Sequence, residues 1–511
     1  MTAAQPGRRP WWMDAVVYQV YPRSFCDTDG DGVGDLEGIR RHLDHLAWLG
    51  VDALWLSPFF KSPMADYGYD VADYCDVDPQ FGTLADFDRL LADAHERDIR
   101  VLIDWVPNHS SDQHPWFQES RAGRGAPKRD WYYWRDGAAP GRPPNNWRGA
   151  FLDGPAWTWD SGTRQWYLHS FLPQQPDLNW GNPDVVAAMH DTLRFWLDRG
   201  VDGFRMDVIH LIGKDDTLPD RPEGSHRHDP GPNWFTHPLL RDLRVLLDSY
   251  PGDRVMVGEV YILSTARVAE YYGHGDELHL AFNFPPLYAP WEADAWRKRI
   301  TRVAEELEPR DAWPTWVLSN HDNPRHRTRY GTEARARAAA VLLLTLRGTP
   351  FLYAGEELGL EDAVIPPEAR RDPGGRDGCR APLPWLPDPH HGWAGEDPWL
   401  PWPPDAATRN PATLEGDGSS ILHLYRRLLD CRRRSEALRA GDLHLLDTAP
   451  GTVGYARVAP RDRRVVLVNF TDAPVGCEAW AGMNVEIASD DPAVTGPFTG
   501  TLGPSQSVLL R

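Results

Sequence analysis

The chain is poor in sulfur, short of positive charge and without a long apolar run. Its five cysteines, Cys26, Cys75, Cys379, Cys431 and Cys477, are scattered over 511 residues with no Cys-x-x-Cys spacing. That pattern argues against a disulfide framework and a zinc site, and for free thiols in a reducing cytoplasm. The longest apolar stretch, 338–346, is far shorter than the ~20 residues needed to cross a bilayer. The opening MTAAQPGRRPWW has neither an apolar h-region nor a cleavage pattern, so no secretion signal is expected. Lysine and arginine number 54 against 74 aspartates and glutamates, a net charge of −20. Nucleic acid and anionic membrane are therefore poor partners, and a neutral or cationic ligand is favoured over a phosphorylated one.

What is present is an ordinary globular composition, 41% apolar and 25% charged, with 24 tryptophans. Tryptophan serves packing first, but its flat face also matches the apolar face of a sugar ring. The stretches 15–22, 51–58, 99–106, 201–208, 254–261, 314–322 and 349–357 are short and apolar or β-branched, and read as strands. Helical patterns at 39–50, 83–98 and 185–200 lie between them, the first and last ended by glycine. Repeated strand–helix units with apolar strands predict a parallel sheet, and eight of them close a (β/α)8 TIM barrel. The interval 107–180, rich in Trp, Pro, Gly and Asn, interrupts the rhythm after strand three and is too long for a bare loop. A last helix at 419–441 precedes alternating stretches, TVGYARVA and RRVVLVNF, that predict an antiparallel β-domain. The expected organisation is a barrel over 1–106 and 175–438, an inserted subdomain over 107–174 and a C-terminal β-domain over 439–511.

Polar residues fall where that barrel places its active site, at the C-terminal strand ends. Asp104, Asn108 and His109 follow strand three, Arg205 and Asp207 strand four, Glu259 strand five, and His321 with Asp322 strand seven. Three carboxylates with arginine and histidine suit acid/base and nucleophilic work on a neutral polar molecule. Retaining glycoside hydrolysis needs one ionised carboxylate and one protonated one about 5 Å apart. Arg205 lies two residues before Asp207, on the same strand face, which marks Asp207 as the ionised partner. The stretch CDTDGDGVGDLEG (26–38) opens like an EF-hand loop, but Gly38 stands where that loop needs a bidentate Glu. A fixed cation that pins a loop fits better than a calcium sensor; the alternative is an empty Asp/Gly turn.

DWVPNHSS, GFRMDVI, VGEVY and LSNHDNPR resemble, in order, the four conserved regions of the α-amylase clan of glycoside hydrolases. QPDLNW (175–180), SPMADYGYDVADY and GRDGCRAPLPW are similar to its oligo-1,6-glucosidase/α-glucosidase branch, and the resemblance spans about residues 11–440. It implies a retaining, exo-acting α-glucosidase for short maltose- or isomaltose-type substrates, with transglycosylation capacity, as a cytoplasmic monomer or homodimer. It implies Asp207 as nucleophile, Glu259 as general acid and base, and Asp322 as the third carboxylate. Asp66, Tyr69, His109, Arg205, His321 and Arg380 would surround the terminal glucose, with Asp66 and Arg380 closing the pocket at its O4 end. Phe151 and Phe171 would wall it. Asp27, Asp29, Asp31 and Asp35, with the Val33 carbonyl, would hold a structural calcium or magnesium. A dedicated α-glucosyltransferase or a trehalose-synthase-type isomerase would use the same glucosyl ester, whereas the clan's non-catalytic transporter partners lack the carboxylates. Val260-Tyr261 after Glu259 departs from the Met-Pro of oligo-1,6-glucosidases, while Val208 is the type associated with α-1,6 preference. The two point opposite ways and leave the linkage open. His210 and the 224–234 loop are candidates for acceptor contacts, and the Trp/Pro-rich 391–404 segment is expected at the pocket mouth.

Overall fold

A computed structural model describes residues 9–151, 154–224, 231 and 233–511. The first eight residues, and most of the 224–234 loop considered for acceptor contacts, lie outside the described residues.

The barrel strands are β1 (Val17–Val20), β2 (Ala53–Leu56), β3 (Arg100–Trp105), β4 (Gly203–Met206), β5 (Val255–Gly258), β6 (Leu280–Ala281), β7 (Thr315–Val317) and β8 (Thr349–Tyr353). They form one sheet in the order β6-β5-β4-β3-β2-β1-β8-β7, every neighbouring pair parallel. Buried on both faces, such strands have no reason to alternate polar with apolar residues. The inner face stacks Val17, Ala53, Trp55, Leu102, Val255, Val257, Leu280, Val317 and Phe351 into one core. The outer face packs on the surrounding helices. One of these, Pro183–Arg199, starts on an Asn182 cap and stops at Gly200 in the left-handed region, as its sequence signals imply.

Side chains close the seam between β6 and β7. The Tyr272 hydroxyl accepts from the Ala281 amide at 3.0 Å and donates to the Trp313 carbonyl at 3.0 Å. Thr315 Oγ1 donates to the Ala281 carbonyl at 2.8 Å. Sequence patterning missed β6 because a two-residue strand is too short to carry a period.

After β3 the insertion folds as a helix, Pro115–Arg121, and a small antiparallel sheet of Trp134–Arg135, Gln165–Leu168 and Trp157–Asp160. Tyr133, Trp147, Trp157 and Leu168 give it an aromatic core of its own. The C-terminal sheet is antiparallel, with Thr452–Ala459 and Asp462–Asn469 as its central hairpin. It is joined to the barrel by Tyr455 Oη at 2.6 Å from Thr345 Oγ1 and by Arg457, which donates to the Thr345 carbonyl at 2.6 Å.

The strands end short of the stretches expected for them, the 314–322 strand already at Val317 and the 349–357 strand at Tyr353, and two elements show a clear local reason. The fourth strand stops at Met206 because Val208 turns into the left-handed region at φ 35°. The helix expected over 419–441 divides into Ile421–Arg434 and Glu436–Ala440, with the Ser435 side chain capping the second by accepting from the Leu438 amide.

Candidate active site

The ends of β3, β4 and β5 bring three carboxylates onto one guanidinium. Asp104 lies beside Arg205 in the sheet register. The Asp207 amide donates to the Trp105 carbonyl at 2.8 Å, and the Glu259 amide to the Met206 carbonyl at 2.9 Å. Arg205 Nη1 then donates to Asp104 Oδ1 and Asp207 Oδ1, both at 2.7 Å, and Nη2 donates to Glu259 Oε2. The guanidinium is buried over the Trp55 ring, 5.3 Å from its centroid. Val208 adopts a backbone conformation costly for a β-branched residue, and that turn sends its N–H to Glu259 Oε2 at 3.2 Å.

The electrostatics follow from one cation facing three buried anions. Burial pushes the Asp104 carboxyl up to about 7 against the pull of Arg205. Burial also pushes Asp207 well above the usual carboxylate range; Arg205 opposes this, and Glu259 and Asp104 add to it. Asp207 and Glu259 are within hydrogen-bonding reach of each other. Burial thus favours the protonated forms of Asp104 and Asp207, and the Arg205 guanidinium opposes it at both. Arg205 stands beside Asp207 as its spacing implies, but its charge is divided among Asp104, Asp207 and Glu259.

A second charge cluster lines the same cavity as Asp207 and Glu259. Asp322 Oδ1 accepts from Arg376 Nη1 at 2.8 Å and from Arg380 Nη2 at 3.0 Å, and His321 Nε2 is 3.2 Å from Oδ2. Burial alone would raise the Asp322 carboxyl, but His321 and the two arginines hold it well below its ordinary value. Arg376 Nη2 also pairs with Asp66 Oδ1 at 2.7 Å, while Gln175 Nε2 donates to Asp66 Oδ2 at 3.0 Å. Asp66 and Arg380 are expected together at the O4 end of the sugar; Asp66 lines the cavity, and the arginine that lines it beside Asp66 is Arg376. Arg380 is fully buried behind the cluster, where it donates to the His321 carbonyl at 2.7 Å and lies over the Tyr21 ring.

Two histidines are held neutral by burial, His109 pushed down to about 4 and His321 further. Gln19 Nε2 lies 2.7 Å from His321 Nδ1, and Tyr69 Oη lies 2.6 Å from Nε2 and donates to Asp104 Oδ2 at 3.0 Å. A neutral imidazole protonated on Nε2 satisfies all of these contacts. His109 Nε2 rests 3.1 Å from the Tyr69 carbonyl.

These groups surround a cavity of about 230 Å³ lined by Asp66, Tyr69, His109, Phe151, Phe171, Asp207, Val208, Glu259, Tyr261, Tyr288, Asp322, Asn323, Gly374 and Arg376. Of the residues expected around the sugar, Arg205, His321 and Arg380 stand behind this lining. Sequence reasoning missed Arg376, although it lies in the quoted GRDGCRAPLPW motif, and Tyr288, which carries no local signal. Tyr288 Oη meets Tyr261 Oη at 2.8 Å. His210 is buried with Nδ1 3.2 Å from the Glu259 carbonyl. The 391–404 segment does not line the cavity; it packs against the Asp-rich loop and Tyr21.

In that loop Asp27, Asp29 and Asp35 bring carboxylate oxygens within 4.8 Å of one another. Their hydrogen-bond partners are backbone amides and the Thr28 hydroxyl. Three converging anions with hard oxygen donors fit a calcium- or magnesium-type cation. Asp31 stands outside the convergent group and accepts from the Val33 amide at 2.8 Å. All five cysteines are free thiols, and among the described residues no helix is long and apolar enough to cross a membrane.

Residues 19–441 match the family of alpha-amylase catalytic domains. The chain belongs to that family. It is 42% identical to a probable alpha-glucosidase of Rhizobium meliloti over 91% of this chain and 90% of the relative. It is 36% identical to the oligo-1,6-glucosidase of Parageobacillus thermoglucosidasius, covering 91% of both. Among solved structures it is similar to the alpha-glucosyl transfer enzyme XgtA, with a TM-score of 0.90 and 41% identity over 99% of this chain and all of that one. Family membership is consistent with the barrel, its insertion and the placement of the carboxylates at the strand ends.

Proposed function

We propose that the protein is a retaining, exo-acting α-glucosidase for short α-glucosides. The observation that carries this reading is one cavity lined both by Asp207 with Glu259 and by the Asp66–Arg376–Asp322 cluster, which in this proposal closes the pocket at one end. Two carboxylates on the arms of one guanidinium leave no room for the water that inversion seats between groups roughly 6.5–9.5 Å apart. Asp207 attacks the anomeric carbon while Glu259 gives its proton to the departing oxygen. The resulting β-glucosyl ester is then attacked by an acceptor hydroxyl whose proton returns to Glu259, and glucose leaves with its α-configuration restored. Asp322, kept ionised, and Arg376 hold ring hydroxyls at the closed end. The neutral His109 adds hydrogen bonds without charge, and the neutral His321 supports Asp322 and Tyr69 from behind. Proton NMR of a maltose digest tests this: α-glucose formed first supports it, and β-glucose overturns it.

Glucosyl transfer is a second reading, favoured by the Tyr261–Tyr288 wall at the pocket and by the similarity to a glucosyl transfer enzyme. A time course that resolves products separates the two, since water yields only glucose whereas a sugar acceptor yields new di- or trisaccharides early. In the same proposal Asp27, Asp29 and Asp35 hold a calcium or magnesium ion, which would fix the loop. Five free thiols support a cytoplasmic setting.

A further inference from the structure

The Asp-rich loop and the closed end of the pocket are joined by a strap, residues 394–399, that the reaction itself does not use. The Ala394 amide donates to the Asp27 carbonyl at 3.1 Å, the Gly395 amide to Asp27 Oδ2 at 3.1 Å, and the Trp399 amide to the Gly32 carbonyl at 2.9 Å. Loop and strap touch backbone to backbone. Gly32 sits at φ +84°, and a Cβ there would fall 2.2 Å from the Asp397 carbonyl oxygen. A Cβ on Gly395 would fall 2.8 Å from Asp27 Oδ2.

From this anchor the Trp399 indole reaches both arms of the charge cluster. Its Nε1 donates to Ser24 Oγ at 3.0 Å. Its ring lies 5.3 Å from Tyr67 and 6.2 Å from Tyr21. The Arg23 guanidinium stands against both aromatics, 5.1 Å from Trp399 and 5.2 Å from Tyr67. Tyr67 directly follows Asp66 and is itself left-handed at φ 47°, so the backbone beside Asp66 depends on its surroundings to hold it. Tyr21 stacks on His321 at 5.8 Å and lies under Arg380; both of these hold Asp322.

We propose that Trp399 is a positioning residue that transmits the state of the Asp27–Asp35 loop to Asp66 and Asp322, so that the loop sets how firmly the closed end grips a terminal sugar. The sugar grip rests on the functional reading above; the mechanical linkage does not. The linkage requires no particular ion, only that the loop keep its shape.

The test is a pair of perturbations and their combination. Gly32→Ala wedges the loop from the strap, and Trp399→Ala removes the indole; Trp399→Phe keeps a ring there. Hydrogen exchange of the 64–70 amides reads the backbone around Asp66, and calorimetry with glucose reads the grip. Each single change should speed exchange at 64–70 and weaken glucose binding by about tenfold, inside the range usual for coupled sites. The double variant should be no worse than the worse single, because both act through one contact, and Trp399→Phe should retain most of the protection. Parent-like exchange at 64–70 in Gly32→Ala, or effects that add in the double variant, would overturn the linkage. If the exchange pattern holds while glucose fails to bind the parent chain, the linkage stands and the functional reading falls.

Discussion

Arg376 and Asp66 meet at 2.7 Å across the closed end of the pocket, although 310 residues separate them in the chain. The pair matters because the same guanidinium holds Asp322. It also holds Asp372, so Arg376→Gln removes charge-assisted bonds from three carboxylates, each worth ~1.5–3 kcal/mol. KM for a short glucoside should rise about ten- to a hundredfold. Steady-state kinetics check this; an unchanged KM would mean that Arg376 is structural only.

Arg380 should behave differently. It is wholly buried and anchors the His321 carbonyl as well as Asp322. Arg380→Gln leaves a buried carboxylate cluster short of a cation, at a cost of about 3–5 kcal/mol. The expected result is a large fall in melting temperature, with KM changing less than in Arg376→Gln.

Asp207→Asn should abolish turnover while leaving the melting temperature near that of the parent, since one partner of the shared Arg205 becomes neutral without loss of volume. Glu259→Gln should lose most activity on poor leaving groups, by roughly 10²–10⁴-fold for a general acid, and less on an activated aryl glucoside that departs without a proton. Comparing the two substrates checks the assignment; equal losses would contradict it.

Glu356, buried after β8, contributes to the pH dependence of stability, because burial pushes its carboxyl from 4.5 up to about 8. The unfolded chain gives up this proton near 4.5, whereas the folded chain keeps it to about 8. Between those values the folded state binds more protons, so stability falls as pH rises through the window. The penalty above pH 8 is on the order of 5 kcal/mol. Glu356→Gln should match the parent below pH 4.5 and melt several degrees higher at pH 8; melting curves across that range decide it.

Chelation should lower the melting temperature, because Asp27, Asp29 and Asp35 then face one another uncompensated. An ion at about 100 times its Kd contributes ~2.7 kcal/mol. Restoring calcium or magnesium should reverse the effect, and Asp29→Asn should blunt it. Melting temperatures indifferent to chelator would favour the empty turn.

The parts of this molecule that were legible in the sequence are those set by local periodicity. β3 and β4 stand out as apolar runs, the 185–200 helix announces its own end at Gly200, and the strand ends disclose Asp104, Asp207, Glu259 and Asp322. What stayed hidden depends on where loops travel. Arg376 precedes and Arg380 ends a short 3-10 turn, Asp377–Arg380, and the chain direction there decides which one reaches Asp66. Tyr288 enters the pocket from the end of a short helix with no polar signature. The 391–404 segment reads as a rim, yet the Ala394, Gly395 and Trp399 amides bind it to the Asp-rich loop.

A pocket shut at one end by an ion pair fixes how work scales with substrate. Such a protein counts termini. Lengthening a glucan adds bonds it cannot reach, whereas branching adds new ends, so its rate on a mixture should follow the number of free tips and ignore the total mass of polymer. Entry and exit also share one doorway, and each released glucose has to clear it before the next chain end can dock.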